Sequence, residues 1–200
     1  MLPEEIKKFV EEFEKLPSIG PRQATRLAFR LISSGQAKLS ELSDAVSGLK
    51  KVKICPRCFF VHSQKSKLCF ICSDELRLND TFMVIEKETD LISIERTGKF
   101  KGKYLILGEL TRSGVLEPWQ KLRLNSLKKI ITDEMPDKKV KEIIIALNPT
   151  TYGDLNASLI EKELKPFAEK ITRLGRGIPT GGEIEFADEE TLSHSLTRRE

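Results

Sequence analysis

Two cysteine pairs constrain this 200-residue chain more than any other feature of it. The stretch ICPRCFFVHSQKSKLCFIC sets Cys55 and Cys58 in one CxxC and Cys69 and Cys72 in a second. Each CxxC is a knuckle that aims two thiolates at one point, and two knuckles supply the closed tetrahedral set that zinc prefers. The ten-residue gap between them is short but sterically reasonable. With every position filled by cysteine no coordination site stays open, so one structural zinc ion per chain is expected, not a catalytic one. A redox role fits one CxxC but does not explain two. His62 lies between the knuckles; the ligand set is complete without it, and it reads as a surface histidine.

In a reducing compartment such cysteines are metal ligands, not disulfides. The N-terminus MLPEEIKKF has no apolar signal core, and no apolar run approaches the length of a membrane span. A cytoplasmic protein without membrane contact is the expectation. Hydrophobic residues make up 39%, enough for a real core, and the net charge is only +4. Any nucleic-acid surface must therefore be local.

Residues 3 to 15 predict a helix, with Pro3 in its first turn, Glu4 and Glu5 at its positive end, and Ile6, Phe9, Val10 and Phe13 on one face. A break follows at Leu16 to Pro21. Ala24, Leu27, Ala28, Leu31 and Ile32 mark a second amphipathic helix. Ser40 is placed to cap a third, with Leu42, Ala45, Val46 and Leu49 inward. From Asp80 the texture changes. TFMVIE, KYLILG, VKEIIIAL and KITRLG read as strands, with helices between them at about 90–96, 118–134 and 153–168. Strand alternating with helix argues a parallel sheet. The last stretch, RGIPTGGEIEFADEETLSHSL, reads as a glycine-rich turn, a short extended piece and a final helix.

Three local constellations bear on function. In LPSIGPRQATRLAFRL the helix breaks and restarts with Arg22, Arg26 and Arg30 at four-residue spacing. Gly20 allows a sharp turn and close approach of a ligand, and Pro21 suits a first helical turn. Free N–H groups there form an anion site, and the arginines extend it toward a phosphate backbone. An ordinary solvated basic face is the competing reading. At the other end, the carboxyl edge of the expected sheet carries Glu86, and Asp154 within NPTTYGD. A magnesium site would want several carboxylates there. Helix capping and surface charge explain these two equally well. There is no P-loop and no plausible Ser–His or Cys–His pair.

Hairpin, cysteine cluster and acidic-edged α/β region, in this order, resemble the bacterial recombination-mediator RecR family. The likeness spans nearly the whole chain. It is carried by LPSIGPRQATRLAF, the two CxxC knuckles, VIEKETDLISIERTGKFKGKYLILG, NPTTYGD and GIPTGGEIEFADEETL. It implies an α/β fold: a Toprim-like four-stranded parallel sheet with an N-terminal helix-hairpin-helix, a four-cysteine zinc finger and a C-terminal arm. The implied divisions are 1–53, 54–79, 80–176 and 177–200, the last holding a Walker-B-like segment and the arm. It also implies a protein that is not an enzyme, a ring-like tetramer that acts with RecO and RecF to load RecA on gapped DNA. By motif match the DNA-binding positions fall on Arg22 and Arg26, and the Toprim acids on Glu86 and Asp154, where partner binding is expected. Ser18 stands where the hairpin usually has its first glycine, and Tyr152 where an acid is usual. The loop GELTRSGVLEPWQ lacks the family's His-Gly and Ser-Pro-Leu pattern. The rivals are a Toprim-type metal-dependent nuclease or primase-like phosphoryl transferase, and a zinc-ribbon regulator that never meets DNA.

Overall fold

A computed structural model describes residues 2–111 and 114–197. The chain forms two compact units that divide between Val52 and Lys53.

In the first unit, α1 (Glu4–Phe13) begins after Pro3, and Phe9 and Phe13, one turn apart, stack with centroids 3.9 Å apart. Two successive turns end it: Leu16 N–H donates to the Phe13 carbonyl (3.1 Å) and Ile19 N–H to the Leu16 carbonyl (3.2 Å). In the second turn Pro17 is followed by Ser18 at φ +63°. Proline followed by a positive φ is the signature of a type II turn. The chain then enters α2 (Pro21–Ser33), with Pro21 in the first helical turn, where its missing N–H costs nothing. Ala24 and Ala28 are buried, and their small size lets α1 and α2 pack closely. The next helix, α3 (Gln36–Gly48), starts four residues before the expected cap at Ser40. Gly35, at φ +87°, makes the corner instead, a conformation an L side chain resists. Nor is the apolar face of α3 turned inward. Leu42, Val46 and Leu49 are exposed, as are Phe29 and Ile32 of α2, and this unit buries only Ile6, Ala24 and Ala28 among its described residues.

The second unit opens with a two-stranded antiparallel hairpin, β1 (Lys53–Ile54) and β2 (Val61–His62), pairing Lys53 with His62 and Ile54 with Val61. A one-turn helix, α4 (Phe70–Ser73), carries Cys72. Then come β3 (Thr81–Ile85), α5 (Glu88–Arg96), β4 (Lys103–Ile106), α6 (Pro118–Glu134), β5 (Val140–Ala146), α7 (Thr151–Leu164), β6 (Ala168–Arg173) and α8 (Glu189–Thr197). The four-stranded sheet is wholly parallel, in the order β4-β3-β5-β6. Its strands read as apolar runs because both faces are covered. Phe82, Val84, Leu105, Ile143 and Ile145 face a core shared with Leu124, Leu127, Ile131, Ile160 and Leu164 of α6 and α7. Met83, Ile85, Tyr104 and Ile106 face the opposite layer, where Leu91 of α5 and the cysteine cluster lie. Each fully buried Leu or Ile here contributes roughly 1.5–3 kcal/mol.

Edge strand β4 is buried at all four residues. The Ile106 N–H, which points away from β3, donates to the carbonyl of Cys58 at 2.9 Å, so the first knuckle lies along the outer edge of the sheet. Arg123 of α6 reinforces that junction: its guanidinium lies over the rings of Phe59 (4.8 Å) and Trp119 (5.1 Å) and donates to the Ile106 carbonyl. Three further expectations need correction. The last crossover helix ends at Leu164, not 168, because Pro166 lacks the N–H to continue it and a short 3-10 turn leads into β6. The piece expected to be extended near Ile184 is a 3-10 turn. His62 is buried, 7% exposed, with neither ring nitrogen hydrogen-bonded. Strand alternation turns it inward while Val61 faces out. No helix among the described residues is long and apolar enough to cross a membrane.

Candidate functional site

The four cysteines converge. Their sulfurs all lie within 4.8 Å of one another, every one is buried, and Cys58 Sγ and Cys69 Sγ are 3.4 Å apart. A tetrahedron with metal–sulfur bonds of about 2.3 Å has edges of about 3.8 Å, so the set fits one such ion. The local backbone also suits bound thiolates: Phe60 N–H points to Cys58 Sγ and Cys69 N–H to Cys55 Sγ, each at 3.5 Å. Hydrogen bonds within the cluster hold the Cys55 thiol well below its ordinary range and push Cys72 far above it. Four buried thiolates repel one another unless a cation sits among them. The chemistry of the donor set is therefore that of a closed metal site. Among the described residues no other group of three or more histidines, cysteines and carboxylates could hold a metal.

On α2, Arg22, Arg26 and Arg30 are exposed and line an open depression with Gln23, Leu27, Phe29 and Ser33. Among the described residues no carboxylate lies within ion-pair distance of any of the three. Gly20, the N-cap, has φ −94° and ψ 168°, which any residue adopts, and a Cβ there would meet nothing within 4 Å. The turn therefore does not require Gly20; the residue under backbone constraint is Ser18. What the missing side chain does leave is open space before the first turn of α2, where unbonded N–H groups project.

At the carboxyl edge of the sheet, Glu86 follows β3 and is only 7% exposed. Its carboxylate accepts the Leu110 N–H (3.3 Å) and the Asn148 side-chain amide (3.0 Å), with Lys87 Nζ at 3.6 Å. Gly108, after β4, holds φ +92° against the ring of Trp119, where a Cβ would collide. Asp154 sits in the first turn of α7, whose N-cap Thr150 accepts the Gly153 N–H. Two arginines hold Asp154: Arg173 at 3.3 Å and Arg176. Arg173 continues to Ser158 and Glu161, and Arg176 to Glu190 of α8. Asn148, Asp154, Arg173 and Arg176 line a cavity of about 290 Å³, together with Asp90. Glu86 stands outside that lining and is joined to it through Asn148. Asp90 caps α5 by accepting the Lys87 N–H. Tyr152 is exposed. The edge thus brings its acids to amides and arginines rather than to one another. Sequence reasoning missed Arg173 and Arg176, although Arg173 ends the last strand and Arg176 follows it, so both fall at the same edge by the same rule. It also missed Asn148 as the partner of Glu86.

Comparison with known proteins matches residues 6–49 to the model "RecR, helix-hairpin-helix", 80–175 to "Toprim domain" and 177–200 to "RecR, C-terminal". The recombination protein RecR of Bifidobacterium animalis subsp. lactis is 38% identical over 196 residues, 97% of this chain and 94% of that one. That of Myxococcus xanthus is 35% identical over 201 residues, covering 100% and 98%. That of Gloeobacter violaceus is 34% identical, covering 97% and 96%. The likeness runs the length of both chains, and the matched modules follow one another as hairpin helices, parallel sheet and terminal segment: the chain belongs to the RecR family of recombination proteins.

Proposed function

We propose that this chain is a non-catalytic, DNA-binding recombination mediator that works in the cytoplasm with RecF and RecO to load RecA on gapped DNA. Its parts divide the work: 1–53 grips DNA, 54–79 is a zinc finger, 80–176 is a Toprim scaffold for partners, and 177–200 is an assembly arm. The observation that carries the reading is the exposed trio Arg22, Arg26 and Arg30 on a helix that restarts after a tight turn, with no internal carboxylate to neutralise it. A phosphate backbone supplies the missing charge, at the unbonded N–H groups of the first turn and along the arginine stripe. Such contacts fix position and read no sequence.

The cysteine cluster supports one zinc ion per chain, held by Cys55, Cys58, Cys69 and Cys72. Bound there, zinc supplies folding energy and no open site for chemistry. Exposed Phe29, Ile32, Leu42, Val46 and Leu49 support a homo-oligomer, in this reading a ring-like tetramer, because one chain leaves that apolar surface uncovered. Glu86 and Asp154 serve partner binding: both acids are fixed in place, Glu86 by Asn148 and the Leu110 amide and Asp154 by two arginines.

A salt titration of binding to duplex and gapped DNA tests the proposal. For each tenfold rise in salt, log K should fall by about 0.9 per phosphate neutralised on duplex and about 0.7 on single strands. Arg22→Ala with Arg26→Ala should lower affinity on every sequence and flatten the slope, with fold and zinc content intact. Equal affinity and equal slope would make the stripe a solvated face. Magnesium-dependent cleavage that disappears in Glu86→Ala would replace the mediator by a phosphoryl transferase.

A further inference from the structure

The zinc module carries a charge imbalance that its metal site does not use. No aspartate or glutamate occurs between Asp44 and Asp74, a stretch that holds Lys50, Lys51, Lys53, Arg57, Lys65 and Lys67. Arg57 is neutralised by Glu134 of α6. Lys53, Lys65 and Lys67 are exposed, and among the described residues no carboxylate lies within ion-pair distance of them. Lys53 Nζ instead donates to the carbonyl of Gln64 at 3.3 Å, which holds it against the strap that carries the other two. The strap is fixed at its far end by Ser66 Oγ, which donates to the Leu68 carbonyl at 2.7 Å one residue before Cys69. Between His62 and Leu68 every side chain, Ser63 to Lys67, is a hydrogen-bond donor and none is apolar.

We infer that this strap, with Lys53, Lys65 and Lys67, is a second phosphate-backbone contact, separate from the arginines of α2. Three exposed ammonium groups without counter-charge among the described residues match the spread charge of a nucleic-acid backbone. The Ser63 hydroxyl and the Gln64 amide beside them are further donors of the kind that bind phosphate oxygens, while Ser66 is used to hold the strap. Ser63 to Lys67 themselves offer no apolar anchor for a protein partner; the exposed apolar side chains of the module, Ile54, Val61 and Phe70, lie outside that stretch. The inference rests on the DNA-binding reading above but uses different residues.

The experiment compares full-length wild type, Lys53→Gln/Lys65→Gln/Lys67→Gln, and Arg22→Ala/Arg26→Ala on a short duplex across a salt range. The three lysines are exposed, so the triple variant should keep its circular dichroism and its zinc. It should bind more weakly by about tenfold or more at 0.1 M salt, with a salt slope flatter by about 2–3. In parallel, amine acetylation read by mass spectrometry should show Lys53, Lys65 and Lys67 protected by duplex. A triple variant that binds as wild type does, while the arginine variant is weakened, would overturn this inference and leave the DNA-binding reading standing. Wild type that binds no DNA would overturn both. Protection of the lysines by a polyglutamate peptide and not by duplex would overturn it in favour of an acidic protein partner.

Discussion

Ser18 offers a direct test of how the hairpin is built. It holds φ +63° in the turn between α1 and α2, is exposed, and its hydroxyl makes no hydrogen bond. Replacing it by glycine removes no contact. The left-handed conformation costs a residue with a Cβ roughly 1–2 kcal/mol. Glycine gives back about 0.5–1 kcal/mol through its freer unfolded chain. Ser18→Gly should therefore stabilise the N-terminal unit by about 0.5–1 kcal/mol, or a few degrees in Tm for a unit this small. Gly20→Ala makes the opposite pair. Its φ of −94° suits alanine and its Cβ would meet open space, so the fold should tolerate it or gain slightly. Yet the added methyl stands before the N–H groups of α2, so DNA affinity should fall. Thermal unfolding and hydrogen exchange at residues 16–28 read the first effect, and a duplex titration reads the second. A Ser18→Gly protein less stable than wild type, or a Gly20→Ala protein that loses stability but not affinity, would refute the reasoning.

Metal analysis of purified protein should give close to one zinc per chain, and Cys55→Ser or a strong chelator should unfold the zinc module, since coordination and folding are coupled; a metal-free protein with unchanged near-ultraviolet circular dichroism contradicts this. Burial works to raise the carboxyl pKa of Glu95, but hydrogen bonds from Arg77 and Tyr104 outweigh it and leave it below the usual range. A depressed folded value means stability that is full above the unfolded value of about 4.3 and is lost as pH falls through the folded one. Glu95→Gln should thus be less stable than wild type at pH 7, with the gap narrowing below about pH 4 in acid titrations of unfolding; a constant gap would show that the charge is not the cause. Arg176→Ala removes the link from Asp154 to Glu190, so amides of α8 should exchange faster while global stability changes by under about 1 kcal/mol. A chain ending before Ile178 should lose higher assembly and keep its zinc; tetramers that persist would mean that the arm packs on its own subunit.

The sheet was legible because its strands are buried on both faces and read as apolar runs, and the helices between them carry a period that survives in short windows. The cysteine set was legible because spacing alone restricts which thiols meet. What escaped depends on geometry that residue types do not encode. Ser34 and Gly35 give no stronger start signal than Ser40, so the start of α3 had to come from the positive φ at Gly35. A histidine at a strand end faces in or out according to register, and His62 faces in. Asp154 looked like half of an acidic pair because its nearest charges, Arg173 and Arg176, are 19 and 22 residues away in sequence. The apolar face of α3 was read correctly as a face and wrongly as inward, since a sequence does not say whether its cover lies in the same chain.

The carbonyl of Cys58 on the Ile106 amide has a consequence for the cell as well as for the fold. A sheet edge with free N–H groups is a template on which another chain can add a strand, and polymerisation follows where the strand is apolar. Residues 103–106, KYLI, are such a strand, and the knuckle occludes it. Loss of the knuckle's fold would therefore do more than soften one module. It would uncover the outward amide of Ile106 on an apolar edge strand, open to pairing with another chain.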